Sequence, residues 1–115
     1  MTANSATTAE NVATHLDRDE CARFQELFEI VGRRWTVAIV IAAAQGMERF
    51  GEFRDAVPGI SERLLAERLR ELTARAILSR TVEHDTAVIR YRLTECGTDL
   101  VEQLSPVIAW AERWH

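Results

Sequence analysis

Pro58-Gly59-Ile60-Ser61-Glu62-Arg63-Leu64-Leu65-Ala66-Glu67-Arg68-Leu69-Arg70-Glu71-Leu72 decides how the rest of this 115-residue chain is read. The Pro-Gly dipeptide stops whatever element precedes it. Ser61 then supplies a hydroxyl that can accept from the first free backbone N–H groups of a helix. Leu65, Leu69 and Leu72 recur at helical spacing and make one apolar stripe. Arg63, Glu67 and Arg70 fall on the opposite side of the wheel, with Ala66 beside them. Taken alone, such a stretch is an ordinary amphipathic surface helix, a common object in globular domains. Its neighbours shift the reading.

Downstream, Ile77-Leu78-Ser79-Arg80-Thr81-Val82 has the β-branched character of a strand. His84-Asp85-Thr86-Ala87 is polar and turn-like. Val88-Ile89-Arg90-Tyr91-Arg92-Leu93 alternates apolar residues with arginine at period two, the mark of a half-buried strand. Upstream, Asp17 to Val31 has a helical pattern in which Cys21, Phe24, Leu27, Phe28 and Val31 share a face, and Gly32 breaks it. A second helix begins at Thr36. Its Val37, Ile39, Val40 and Ile41 are almost all apolar, so it should be the buried centre, and Gly46 ends it. Glu48 and Arg49 are read as a one- or two-residue strand that pairs with the later hairpin. Phe50 to Val57 is a short helix held by Phe50, Phe53 and Val57. Helix, helix, capped helix and arginine-bearing hairpin give a mainly α fold with a small β-hairpin, a winged helix-turn-helix. In that fold the capped helix can lie in a DNA major groove, where arginine can donate two hydrogen bonds to one guanine edge. The expected double-stranded DNA contacts are Ser61, Arg63, Glu67 and Arg70, with Arg90 of the wing on phosphate or in the minor groove.

Size and composition fit one domain, expected over residues 16–115 behind a disordered tail at 1–15. A hydrophobic fraction of 47% excludes a wholly disordered chain. No apolar run is long enough for a membrane span, and Met1 to Ala9 lacks the basic start and apolar centre of a secretory signal. A cytoplasmic protein is expected. The net charge of -4 looks wrong for a DNA binder, but residues 33–92 carry +3 and the remainder -7. Phosphate binding needs a local positive face, not a positive average. Every basic side chain is arginine, which suits bidentate contacts but equally reflects genome composition.

Thr94 caps a last helical region, in which Gly97, Leu100, Val101, Leu104, Val107, Ile108, Ala111 and Trp114 fall on one stripe. Ser105-Pro106 suggests a break and restart there. A fold this small cannot cover so wide an apolar face. A homodimer is expected, with the first and last helices pairing across a two-fold axis through Phe24, Leu100, Leu104, Val107, Ile108, Trp110 and Trp114. The alternative is that the stripe packs on its own domain.

The chain resembles the HxlR-type bacterial transcriptional regulators, a small winged-helix group related to the MarR type. The residues that carry the resemblance are Cys21, Gly32-Arg33-Arg34-Trp35-Thr36, Arg49-Phe50-Gly51-Glu52-Phe53, and Pro58-Gly59-Ile60-Ser61. Leu65 through Leu72, Tyr91-Arg92-Leu93-Thr94-Glu95-Cys96-Gly97 and Pro106-Val107 ahead of Trp110 complete them. The resemblance implies a dimeric winged-helix fold and a repressor or activator role. For several members it implies a cysteine, at the position of Cys21, that senses quinones, aldehydes or oxidants. Two departures stand out. Ala22-Arg23-Phe24 follows Cys21 where members often have proline, and Cys96 replaces an aliphatic residue. An intermolecular or Cys21–Cys96 pairing is thereby left open.

The remaining chemistry-bearing residues form no catalytic or metal-binding pattern. The sensor reading of Cys21 needs a low-pKa, exposed thiol. Arg18 and Arg23 would favour one, while Asp17, Asp19 and Glu20 oppose it. Cys96 at an apolar helix start reads as packing. His15, His84 and His115 are scattered and show no ligand spacing with the cysteines. Trp35 reads as core. An apolar pocket at a two-fold helical interface would admit a small aromatic or electrophilic effector. No nucleophile motif, phosphate loop or paired-carboxylate site is present, so no enzyme, cofactor or metal is expected. The rival reading is a winged helix used for protein–protein contact without DNA.

Overall fold

The computed structural model describes residues 17–115, so the expected tail at 1–15 lies outside the described residues. The chain divides after Gly32 into two compact units. Within the first, α1 spans Arg18–Val31. Asp17 caps it, its carboxylate accepting from the Glu20 N–H at 2.8 Å. Asp19 and Glu20 in the first turn suit the positive end of the helix dipole. Phe24 and Phe28 stack at 6.5 Å between ring centroids, and with Leu27 they form an exposed apolar strip.

The second unit runs α2 (Thr36–Ala44), α3 (Phe50–Ala56), α4 (Glu62–Ala74), β1 (Leu78–Val82), β2 (Ile89–Leu93) and α5 (Glu95–Trp114). This is the expected mainly helical fold with one antiparallel hairpin. Its core forms where α2 meets the next two helices and the start of the hairpin. Ile39 and Val40 of α2, Phe53 of α3, Leu65, Leu69 and Leu72 of α4, and Leu78 of β1 are all essentially buried. Trp35 is half-buried and packs on that core, with a positive φ of 79° just ahead of α2. Gly59 also takes a positive φ, 95°, which only glycine adopts without strain. A Cβ there would sit 3.5 Å from the Trp35 ring.

β1 and β2 pair from Leu78 opposite Leu93 to Val82 opposite Ile89. Because side chains alternate faces, Leu78, Arg80 and Val82 share one face with Leu93, Tyr91 and Ile89. Arg90 and Arg92 lie on the other. The Tyr91 ring meets Phe53 edge-on at 6.3 Å and anchors the wing to α3. The short strand expected at Glu48-Arg49 is not formed. It is reduced to one hydrogen bond, from the Tyr91 N–H to the Glu48 carbonyl at 2.7 Å. The reason is room: α3 starts at Phe50, and Glu52 takes the N–H groups of both Glu48 and Arg49 as its cap.

The expected break at Ser105-Pro106 is also corrected, since α5 runs unbroken through Pro106. A mid-helix proline removes one hydrogen bond and crowds the carbonyl four residues back. Pro106 and Glu102 are both exposed, so water can take the orphaned carbonyl. Along α5, Leu100 and Val101 pack on the core. Leu104 and Ile108 are half-buried, and Val107, Trp110 and Trp114 stand exposed by 56%, 54% and 66%. No described helix is long and apolar enough to cross a membrane.

Besides the packing of Leu100 and Val101, α5 makes one close backbone approach to the core. Thr94 accepts from the Gly97 N–H at 2.9 Å and donates to the Ala76 carbonyl. Gly97 is thereby pressed on β1's leading residue, where a Cβ would lie 2.1 Å from the Ile77 carbonyl oxygen. Backbone cannot yield as a side chain tip does. We expect Gly97→Ala to destabilise the protein by about 3 kcal/mol, at the upper end of overpacking costs, read as a lower urea midpoint. Ala109→Gly on the exposed face of α5 should cost about 1 kcal/mol. Equal losses in the two variants would contradict the close approach.

Candidate nucleic-acid interface

The interface is built on α4. Ser61 caps it as expected, its Oγ accepting from the Leu64 N–H at 3.1 Å. The three buried leucines then fix the helix's rotation. One flank is tied to the segment before α2. Arg68 donates to the Arg34 carbonyl at 3.1 Å, and Arg33 and Arg68 both donate to Glu71, at 2.7 and 3.1 Å. The N-terminal end is tied to α3, where Arg54 pairs with Glu62 at 2.9 Å.

What remains outward is the set that the sequence singled out. Ser61, Arg63 and Arg70 are exposed, and Glu67 is half-buried beside them. Among the described residues, neither Arg63 nor Arg70 has a carboxylate partner. The geometry leaves two guanidinium groups, a carboxylate and a hydroxyl on a rigid helix. Those are the donors and acceptors that read base edges and phosphates.

The wing differs from expectation. Arg90 does not offer a bare charge. It donates to Glu83 and to Glu48, the latter at 3.0 Å, and Arg92 donates to the same Glu48 at 2.8 Å. The Arg92 hydrogen bond holds the Glu48 carboxyl below its ordinary pKa, and the Arg90 hydrogen bond does the same for Glu83. Glu48 thus takes the place of a strand. Its carbonyl holds the Tyr91 backbone and its carboxylate holds two wing arginines. Its role was hidden in the sequence because its partners lie more than forty residues away. Arg80 is the wing arginine that sequence reasoning passed over. It is exposed and has no carboxylate partner among the described residues. Counting period two forward from Leu78 would have placed it on the face opposite Arg90.

The other candidate residues are on other elements. Cys21 is exposed near the start of α1. Cys96 is exposed too, which corrects its reading as packing. It sits in the first turn of α5, where its neighbours Glu95, Asp99 and Glu102 are acidic and open to solvent. His84 is exposed in the wing turn. Phe24 of α1 and Trp110 and Trp114 of α5 remain open to solvent, by 47%, 54% and 66%.

A capped second helix with outward, unpaired arginines, flanked by a two-stranded wing, defines a winged helix-turn-helix protein. Residues 30–115 match the HxlR-like helix-turn-helix family model. The chain belongs to that family, and it is an HxlR-type helix-turn-helix transcriptional regulator. It is similar to YvaP of Bacillus subtilis, an uncharacterized regulator of this type, at 38% identity over 82% of this chain and 88% of the relative. It is also similar to YodB of B. subtilis, at 37% identity over 82% and 85%. The reduced form of YodB superposes with a TM-score of 0.73 at 34% identity, covering 86% of this chain and 94% of that one. A MarR-family regulator from Enterococcus faecalis gives 0.75 at 26% identity, covering 87% and 90%. YodB has also been solved after diamide treatment and with quinone bound.

The Glu48 hub makes a pH prediction. Carboxyls held below their ordinary pKa stabilise the fold above that ordinary value, near ~4.3, and lose the contribution as pH falls through the lowered one. The stability gap between the wild type and Glu48→Gln should be constant above about pH 5 and shrink in acid. A gap that widened on acidification would show that Glu48 is not held by Arg90 and Arg92.

Proposed function

We propose that this regulator binds duplex DNA as a homodimer at a pseudo-palindromic operator, acting in the cytoplasm and responding to an oxidant or electrophile. The observation that carries the DNA reading is the state of α4. Its flank and N-terminal end are locked by Glu71 and Glu62, while Arg63 and Arg70 are left unpaired on the outward side. In a major groove, Arg63 suits a guanine edge, Glu67 can accept from a cytosine amine, and Ser61 keeps its O–H for a phosphate. Arg90 can reach phosphate only by leaving Glu83 and Glu48.

Dimerisation is supported by apolar surface without cover. α1 exposes Phe24, Leu27 and Phe28, and α5 exposes Val107, Trp110 and Trp114. Contiguous patches of that kind mark interaction sites. A two-fold pair of recognition helices would then meet half-sites about one helical turn, ~34 Å, apart.

The effector reading rests on the likeness to YodB, which has been solved reduced, diamide-treated and quinone-bound. Cys21 has the exposure that sensing needs. A thiol modified at an interface can shift a two-state assembly.

The test is selection of bound duplexes from a random pool. We expect a two-fold symmetric site, weakened steeply by salt. No binding at low salt would favour the protein–protein reading instead. Arg63→Ala should cost about 1–3 kcal/mol and relax base preference at one position of each half-site. Trp110→Glu should give monomers by sedimentation while keeping the helical circular dichroism, since Trp110 is 54% exposed within the chain. For sensing, benzoquinone or diamide should lower the operator affinity of the wild type and not of Cys21→Ser. Equal responses would move the effector away from Cys21, and Cys96→Ser then tests the second exposed thiol.

A further inference from the structure

Between α4 and the wing lies a cleft of about 520 Å³ whose rim carries Arg70 and Arg80. Its walls are Ala66, Thr73 and Ala74 of α4 and the Tyr91 ring. Among the described residues, no acidic side chain lines it. Strand alternation explains why. Arg80 pairs opposite Tyr91 on the cleft side, whereas Glu83 and Glu48 are engaged with Arg90 and Arg92 of the other face. The wing therefore sorts its charges, with neutralised arginines on one side and an unpaired one on the other.

The walls also limit what can enter. The Thr73 hydroxyl is already spent on the Leu69 carbonyl at 2.7 Å. The alanines and the Phe50 and Tyr91 rings offer shape, and the Tyr91 hydroxyl adds one more donor that a phosphate oxygen can accept from. Among the described residues, the two guanidinium groups and the Tyr91 hydroxyl are the uncommitted hydrogen-bond donors along the cleft. A base edge would need donors and acceptors in a fixed pattern, whereas a phosphodiester needs only donors and positive charge. Small walls let a nucleic-acid backbone approach closely.

We propose that Arg70 and Arg80 form a clamp on one DNA phosphodiester, held between recognition helix and wing. On this assignment Arg70 positions the protein and carries no base readout, which leaves Arg63 as the base-reading arginine of α4. The proposal rests on the duplex-binding reading above and refines it.

The experiment uses the full-length protein, the duplex selected from the random pool, and a scrambled duplex of the same length. Arg70→Ala and Arg80→Ala should each weaken both duplexes alike, by about fivefold at 0.2 M salt, and flatten the salt slope by about one unit. Replacing single phosphates along the selected duplex by neutral methylphosphonates should reveal one position that costs the wild type a similar factor. The same replacement should cost Arg70→Ala and Arg80→Ala nothing further. Lysine at either position should recover part of the salt slope, because the charge returns without the fork. A loss of base preference in Arg70→Ala would overturn the clamp. So would two different sensitive phosphates, or an unchanged slope in Arg80→Ala. A wild type that binds neither duplex at low salt would sink both this and the DNA reading. Binding with Arg63-dependent preference but no Arg80 effect would remove the clamp alone.

Discussion

The rotation of α4 about its own axis is the constraint from which the interface follows. Leu65, Leu69 and Leu72 are essentially buried, and burying a leucine is worth roughly 2 kcal/mol. Turning the helix by one residue position, about 100°, would pull that stripe into water and drive arginine into the core. The leucines therefore decide which arginines face outward. Arg68 is carried to the α2 side, where Glu71 and the Arg34 carbonyl receive it. Arg63 and Arg70 are left outside.

Acidic residues then decide which exposed cations remain available. Exposed ion pairs contribute little to stability, so their effect here is on placement. Glu71 takes Arg33 and Arg68, Glu62 takes Arg54, and Glu48 with Glu83 takes Arg90 and Arg92. Each pair neutralises an arginine and leaves the exposed positive charge to those without a carboxylate partner among the described residues. The net charge of -4 is thus compatible with a positive face, because the sign of that face is set by which cations go unpaired.

The element order was legible because every signal for it is local. Pro58-Gly59 and Ser61 mark the start of α4, the leucine spacing marks its buried side, and the arginine alternation marks β2. The outward placement of Ser61, Arg63 and Arg70 was legible for the same reason, since a helix's outward side is the complement of its inward one. The pairing of Arg90 was not legible from periodicity alone. The alternation placed that arginine on the polar face of the strand but could not say that Glu48 waits there. Ion pairing between residues 48 and 90 is a tertiary fact with no sequence period. The unbroken path of α5 through Pro106 is another such case. The local rule states the cost of an internal proline, and the environment decides whether the helix breaks.

The chain's apolar excess and its cationic face lie on different elements, and this bears on how a signal could reach DNA. The outward arginines sit on α4 and the wing, whereas the uncovered aromatics sit on α1 and the far end of α5. Near its start α5 packs Gly97 against the Ile77 carbonyl, and Ile77 leads directly into the wing strand β1. A tilt of α5 would press on the base of β1 through backbone atoms, with no flexible side chain between them to absorb it. Rigid elements in tight backbone contact, here backed by the packing of Leu100 and Val101 on the core, transmit displacement instead of damping it. If α5 is where copies of the chain meet, as proposed above, the spacing of the wings is coupled to that meeting through Gly97, without any of the outward arginines touching the partner.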